Sequence, residues 1–341
     1  MNPQVKVYYD SDADLSYLSN KNIGVIGYGI QGRAQSLNLR DSGQNIRVAN
    51  RQDNYFVQAQ KDGFDVMKPT LLSEWADIIF YLIPDDAQVE KFQSWIEPYM
   101  TEGKTIVFAH GYAIYNNRIK FNNNVDILLM APRMPGKYIR DRFLRGWGAP
   151  VFIDVFQDYS GNGMNIVLAL AKGIGATKIG AMHISLAEET EIDLFIEQFL
   201  LPRITSAIQC SFDYLISLGM TPEAVISEIY ASKEIGKLLT DAGNSNLYQV
   251  FIDNASPTCQ FGKMKNIDRA KNLLPNEHME LVMKEIRNSI FDDELKLEGS
   301  SNYKNLKKYN NNLSKTKIVK THKNYNKFHL NDGTNNSERK Y

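Results

Sequence analysis

Residues 22–34 read Asn22-Ile23-Gly24-Val25-Ile26-Gly27-Tyr28-Gly29-Ile30-Gln31-Gly32-Arg33-Ala34. A β-branched run breaks into Gly27-x-Gly29-x-x-Gly32 and passes into a helical pattern through Leu37 and Leu39. In a strand–turn–helix unit Gly27 permits the tight turn. Gly29 lets backbone approach a pyrophosphate, and Gly32 lets helix pack on strand. The helix N-terminus then turns its unpaired N–H groups on the phosphates. The glycine spacing alone is a weak signal, since a structural turn can share it. Its place between a strand and a helix makes it a dinucleotide site.

The second strand, Ile46 to Ala49, ends in Asn50-Arg51-Gln52-Asp53-Asn54, where such folds read the adenosine ribose. Asp53 can accept from a ribose 2′-OH and would repel a 2′-phosphate, which leans towards NADH. Arg51 can stack on adenine or pair with a phosphate, which leaves NADPH open. A polar loop with neither role is the competing reading. Asp77 to Ile83 then runs into Pro84-Asp85-Asp86, and Thr105 to Ala109 into His110-Gly111-Tyr112. Strands alternating with helices predict an α/β fold with a parallel sheet and ligands gathered at the strand C-termini. There His110 is a candidate to orient substrate or relay a proton, although a lone histidine after a strand is more often structural. Asp126 to Ala131 ends in Pro132-Arg133-Met134-Pro135-Gly136, which puts Arg133 at the same edge as a candidate for holding an anionic substrate. Val151 to Val155 reads as a further strand and Asn165 to Lys172 as a helix, and Ile179 to Ile184 leads out of the domain. The boundary is expected near residue 185, with residues 1–20 as a lead-in arm.

The next stretch carries Glu188, Glu189, Glu191, Asp193 and Glu197 among Leu194, Phe195 and Ile196. Glu189, Asp193 and Glu197 recur every four residues and share one helical face. Stacked carboxylates repel unless a cation lies between them, and oxygen-only ligands suit a hard ion such as Mg²⁺. A solvated acidic face is the plain alternative, but the apolar neighbours imply a buried helix whose carboxylates need partners. The pattern beyond is helical: Ile204 to Leu218, a start at Thr221-Pro222-Glu223, and a helix in which Glu228 and Ser232 share a face. Ala255-Ser256-Pro257-Thr258-Cys259-Gln260-Phe261-Gly262 breaks the run, and Pro275 starts a last clear helix. From Gly299 Asn and Lys dominate. Residues 301–341 read as a tail, largely disordered beyond about 315.

A chain of 341 residues is long enough for two domains, here 1–185 and 186–300 followed by that tail. A formal net charge of +0 gives no global pull towards nucleic acid or an anionic membrane. Cys210 and Cys259 lack the spacing of a disulfide framework or a zinc site. No basic-then-apolar N-terminus and no bilayer-length apolar run is seen, so the expected location is cytoplasmic.

Several motifs together resemble ketol-acid reductoisomerase of the short-chain class I type. They are Gly27-Tyr28-Gly29-x-Gln31-Gly32 with Leu37-Asn38-Leu39-Arg40-Asp41-Ser42-Gly43, Ala109-His110-Gly111, Ala131-Pro132-Arg133-x-Pro135-Gly136, Ala171-Lys172-Gly173-Ile174-Gly175, and Glu188-Glu189-Thr190-Glu191-x-Asp193-Leu194-Phe195-x-Glu197-Gln198. The resemblance runs from about Val5 to about Asp293. It implies a Rossmann-type domain plus a knotted all-α domain, an exception to the unknotted rule. It also implies conversion of 2-acetolactate or 2-aceto-2-hydroxybutyrate to a 2,3-dihydroxy acid of valine and isoleucine synthesis. Alkyl migration with two Mg²⁺ precedes reduction by NADPH, less often NADH. Carried over by motif, Gly27, Tyr28, Gly29, Gln31, Gly32, Arg51, Asp53 and Gly136 would serve the cofactor. Asp193 would bridge both metals, Glu197 would ligate one and Glu228 the other. Ser256, Arg133 and Ser232 would face substrate, and His110 would sit beside it. In dimers of the family Glu228 and Ser256 come from the second subunit, so a homodimer or higher homo-oligomer is implied.

This chain departs from the family at Ser232, where a second Glu is common, and at Arg133, where Lys is common. Its loop after the second strand is one residue shorter than the common NADPH form and carries Asp53 without the phosphate-binding serines, which supports NADH. A metal-free hydroxyacid dehydrogenase, an enzyme of a specialised pathway and an inactive nucleotide-binding sensor are the alternative readings.

Overall fold

The computed structural model describes residues 5–273 and 276–328. The chain separates into two compact units, Met1–Asp193 and Leu194–Tyr341. The division falls inside the acidic helix Leu186–Phe195 rather than before it at residue 185. The first turns of that helix bond back to Gly111 and Arg133 and so belong with the sheet.

The first unit is built on nine strands: β1 (Lys6–Tyr8), β2 (Asn22–Ile26), β3 (Asn45–Ala49), β4 (Val66–Met67), β5 (Ile78–Tyr81), β6 (Thr105–Phe108), β7 (Asp126–Pro132), β8 (Val151–Gln157) and β9 (Ala181–His183). Their order across the sheet is β1-β9-β8-β7-β6-β5-β2-β3-β4. From β4 to β7 every neighbouring pair is parallel, as the alternation of strands and helices predicts. Chain order reverses between β2 and β5, and outside that switch point a doubly wound sheet binds its ligand. Beyond β7 the sheet is mixed. β8 runs antiparallel to β7, β9 parallel to β8, and β1 antiparallel to β9. The expected lead-in arm is therefore partly an edge strand.

Alternate strand residues feed opposite faces of the sheet. Ile23, Val25, Ile78, Phe80, Val107, Leu128 and Met130 join one core, together with Leu37 and Leu39 of the helix Ile30–Asp41 and Val167 to Ala171 of the helix Gly163–Gly173. Ile26, Ile79, Tyr81, Ile106, Phe108, Ile127 and Leu129 join the other, under Leu72, Phe92 and Ile114. Helices covering both faces explain why these strands read as continuous apolar runs.

The second unit is helical. A π-helical turn, Ile196–Leu200, leads into the helix Leu201–Ser217. Thr221 and Pro222 start the short helix Pro222–Ile226, which continues into a second π-helical turn, Ser227–Ala231. The expected break over 255–262 is only a corner at Ala255. The Ser256 hydroxyl caps the next helix, Pro257–Asn272, by accepting from the Cys259 N–H at 3.4 Å. Pro275 lies outside the described residues; the helix beyond it runs Asn276–Arg287.

The Asn/Lys-rich end departs most from its sequence reading. It forms two helices, Lys304–Leu313 and Lys317–Phe328. Ile318 and Thr321 are buried, and Ile318 packs with Phe212, Val225 and Ile226. Composition hides what spacing supplies. Ile318, His322 and Tyr325 recur at i, i+4 and i+7, a narrow stripe sufficient to seat one helix on another. The remainder of the expected disordered tail, 329–341, lies outside the described residues. Among the described residues no helix is long and apolar enough to cross a membrane.

Candidate active site

The glycine fingerprint folds as its spacing requires. Gly27 has φ +100, a conformation L side chains rarely adopt. A Cβ on Gly32 would lie 1.8 Å from the Gly27 carbonyl oxygen, so helix and turn touch backbone to backbone. A Cβ on Gly29, in contrast, would meet no atom within 4 Å among the described residues beyond its chain neighbours. The space over Gly29, at the N-terminus of the helix Ile30–Asp41, is open to a phosphate group, and the fit to a dinucleotide is good.

The other residues expected to serve the nucleotide divide. Tyr28 is fully buried; its hydroxyl donates to Asp62 Oδ2 at 2.9 Å, and its N–H donates to Asn50 Oδ1. Gln31 ties the fingerprint helix to the loop after β7 by donating to the Met134 carbonyl at 3.0 Å. Gly136 serves packing, since a Cβ there would lie 1.9 Å from the Ile30 carbonyl. Asp53 caps the helix Asn54–Lys61. Its Oδ1 accepts from the N–H groups of Tyr55 and Phe56 and from Asn50 Nδ2. Its Oδ2 accepts from Arg51 Nε at 2.7 Å. Burial works against the carboxylate, but the Arg51 bond and the N–H donors outweigh it and hold its pKa below the usual range. The Arg51 side chain is 82% exposed, so Asp53 and Arg51 stand together at the loop as a charge-balanced pair.

A second cluster forms where β5, β6 and β7 end. Asp85 follows β5, His110 follows β6 and Arg133 follows β7, so adjacent parallel strands deliver all three to one sheet edge. The acidic helix supplies Glu189 and Asp193. Its start is fixed by Asp154 of β8, whose Oδ2 accepts from the Leu186 N–H at 2.7 Å while Oδ1 meets His183 Nε2 at 3.2 Å. The helix comes close because residue 111 is glycine. A Cβ there would lie 2.3 Å from Thr190 Oγ1 and 2.7 Å from Leu186 Cγ.

The cluster is densely charged. Glu189 is buried, and its Oε2 accepts from the Gly111 N–H at 3.1 Å while Oε1 accepts from Arg133 Nη1 at 2.9 Å. Arg133 Nη2 donates to Asp193 Oδ1. Arg133, expected to hold an anionic substrate, is thus committed to two carboxylates, and its guanidinium also lies over the Phe152 ring at 4.9 Å. Burial raises the Glu189 pKa, Asp193 adds to the rise, and His110, the Gly111 N–H and Arg133 oppose it.

His110 Nδ1 lies 3.2 Å from Asp85 Oδ2, and Gln88 Nε2 donates to Asp85 Oδ1 at 3.0 Å. This chain of polar groups aims the imidazole. Among the described residues Nε2 is buried without a hydrogen-bond partner, and it lies 3.6 Å from Asp193 Oδ2, too far for a hydrogen bond. Burial disfavours the imidazolium. The Asp85 bond and the charges of Asp85, Glu189 and Asp193 outweigh it and push the His110 pKa up to about 9. Folding therefore favours the charged ring. That contribution is complete below the ordinary value of 6.5 and is lost as pH rises through about 9. In protein freed of divalent cations the melting temperature is expected to fall across this window, and His110→Gln is expected to flatten the fall. An equally steep fall in His110→Gln would assign it to another group.

Ligand-capable atoms of His110, Glu189 and Asp193 lie within 4.8 Å of one another. The two carboxylates suit a hard divalent cation, which would answer the excess negative charge. In the second unit, Glu197 and Glu228 each sit in one of the π-helical turns, and Ser256 and Ser232 are exposed at helix ends. Sequence reasoning gave no role to Asp85, Gln88 or Asp154. The first two were within reach, because strands β5 and β6 are consecutive and consecutive parallel strands commonly lie side by side. Asp154 was not, because nothing local marks a strand residue as the anchor of a later helix.

Comparison with known proteins agrees with this geometry. Residues 17–180 match a family model described as acetohydroxy acid isomeroreductase, NADPH-binding domain. Residues 186–329 match one described as ketol-acid reductoisomerase, C-terminal domain. A ketol-acid reductoisomerase (NADP(+)) of Methanocaldococcus jannaschii is 40% identical over 304 residues, which is 89% of this chain and 91% of that one. The protein of the same name from Methanococcus maripaludis strain C5 is 39% identical over 306 residues, 89% of this chain and 92% of that one. The solved structure of an NADH-preferring ketol-acid reductoisomerase from an uncultured archean superposes with a TM-score of 0.88 at 27% identity, covering 94% of this chain and 98% of that chain. The chain belongs to the ketol-acid reductoisomerase family, the NAD(P)H-dependent oxidoreductases of branched-chain amino acid biosynthesis.

Proposed function

We propose that this member converts 2-acetolactate or 2-aceto-2-hydroxybutyrate to the corresponding 2,3-dihydroxy acid, with two Mg²⁺ and a reduced nicotinamide. The reading is carried by the meeting of His110, Glu189 and Asp193 at the sheet edge beside the nucleotide fingerprint. Bound Mg²⁺ polarises the substrate's oxygens and stabilises charge that develops as the alkyl group moves. Asp193, Glu197 and Glu228 hold the metals, and Ser256 and Ser232 meet the substrate. His110, aimed by Asp85, carries the proton at Nε2 that the substrate's oxygen gives up or receives. Arg133 balances Glu189 and Asp193 so that both carboxylates can stay close together.

With Glu228 and Ser256 supplied by a second copy, the working unit is at least a homodimer. Exposed Leu239, Tyr248, Ile252, Phe261 and Met264 on the second unit support a covering surface of that kind.

NADH is the preferred reductant, with NADPH accepted. Asp53 stands in the loop after β3, where such folds read the ribose, and its charge disfavours a 2′-phosphate, while Arg51 paired with it moderates that penalty. Asp53→Ser keeps a helix-capping oxygen and removes the charge. It is expected to move the NADH/NADPH ratio of kcat/KM towards NADPH by about tenfold, or ~1.4 kcal/mol. An unchanged ratio would take Asp53 out of the selection.

The test of the whole reading follows cofactor absorbance with 2-acetolactate, using each cofactor with and without Mg²⁺. Oxidation that needs Mg²⁺ supports it. Oxidation that survives a chelator contradicts it.

A further inference from the structure

The turn that carries Glu228 is unusual, and something must hold it. Ser227–Ala231 is π-helical, and the Ser232 N–H reaches back to the Ser227 carbonyl at 3.1 Å. Such wide turns are rare and persist where their surroundings over-determine them. Here the surroundings are the helix Lys317–Phe328. Ser227 Oγ meets Tyr325 Oη at 3.3 Å, on one side of Glu228. Tyr230 Oη meets His322 Nδ1 at 3.1 Å, on the other. The Tyr230 and His322 rings also stack, 5.5 Å apart and 12° from parallel. Just before the turn, Val225 and Ile226 share a buried cluster with Ile318.

We propose that the helix Lys317–Phe328 is a positioning element for Glu228, with His322 and Tyr325 as the positioning residues. They act through Tyr230 and Ser227. The inference rests on the reading of Glu228 as a metal ligand, and it gives the Asn/Lys-rich end of the chain a role in the site. Apolar burial of Ile318 seats the helix. The two polar contacts then fix the turn at the residues that flank Glu228, so its carboxylate leaves the helix in one direction. Outer contacts of this kind commonly govern metal affinity although they never touch the metal.

The experiment is Mg²⁺ titration calorimetry on full-length protein, alongside thermal melting and NAD(P)H titration. His322→Ala with Tyr325→Phe is expected to weaken Mg²⁺ binding by about tenfold. NAD(P)H affinity should be unchanged, because the fingerprint lies in the first unit. His322→Gln, which can still bond Tyr230, is expected to restore most of the affinity when it replaces the Ala. Mg²⁺ binding equal to wild type in the double variant, with or without a lower melting temperature, would overturn the proposal. Glu228→Gln separates the two levels. Loss of Mg²⁺ affinity in Glu228→Gln but not in the double variant sinks only the bracing role. Normal Mg²⁺ affinity in Glu228→Gln sinks the ligand reading and the bracing role with it.

Discussion

Asp193→Asn is expected to lower kcat/KM by at least about a thousandfold, a loss near ~4 kcal/mol of transition-state stabilisation, with the fold intact. Asp193 lies at the meeting point of the cluster. It faces Arg133 on one side and the orphaned His110 Nε2 on the other. The amide preserves shape and one oxygen acceptor for Arg133, so the helix Leu186–Phe195 stays anchored through Glu189, Gly111 and Asp154. It cannot preserve the negative charge a metal needs. Near-UV circular dichroism should match wild type and unfolding should stay cooperative while Mg²⁺ binding falls. Full turnover in this variant would contradict the metal role.

The second large effect separates two glycines of one motif. Gly32→Ala is expected to cost more than about 4 kcal/mol and leave little folded protein, because its Cβ would lie 1.8 Å from a backbone carbonyl that cannot move aside. Gly29→Ala is expected to fold normally. Gly29 has φ −73, open to any residue, and its Cβ would enter empty space. That space is where phosphate oxygens would sit, so NAD(P)H affinity should fall by about tenfold or more, ~1.4 kcal/mol. Soluble yield and melting curves check the first variant, and fluorescence titration of NAD(P)H checks the second. A Gly29→Ala protein that binds cofactor normally would remove the fingerprint from the phosphate site.

These two glycines also mark what the sequence can and cannot tell. Gly27, Gly29 and Gly32 are legible because local backbone geometry dictates their spacing. His110 and Arg133 are legible because parallel strands bring their C-termini to one edge, so position along the chain predicts position in space. Roles that depend on tertiary partners are not. Arg133 reads as a substrate anchor until Glu189 and Asp193 are seen to occupy it. Asp53 reads as a ribose ligand and is also a helix cap. The π-helical turns under Glu197 and Glu228 leave no mark on a pattern of period 3.6. The Asn/Lys-rich end misleads because composition averages away the Ile318, His322 and Tyr325 stripe.

The most direct test of the account identifies the carbon skeleton of the product. In 2-acetolactate the methyl group starts on C2 and the ketone is at C3. Migration of the methyl to C3 moves the ketone to C2, where hydride then arrives. The account predicts 2,3-dihydroxy-3-methylbutanoate, whose proton NMR spectrum shows two methyl singlets on one quaternary carbon. Reduction without migration would give 2,3-dihydroxy-2-methylbutanoate, with one methyl signal split by a neighbouring proton. That product would contradict the isomerisation and make the protein a simple hydroxyacid dehydrogenase on a reductoisomerase scaffold.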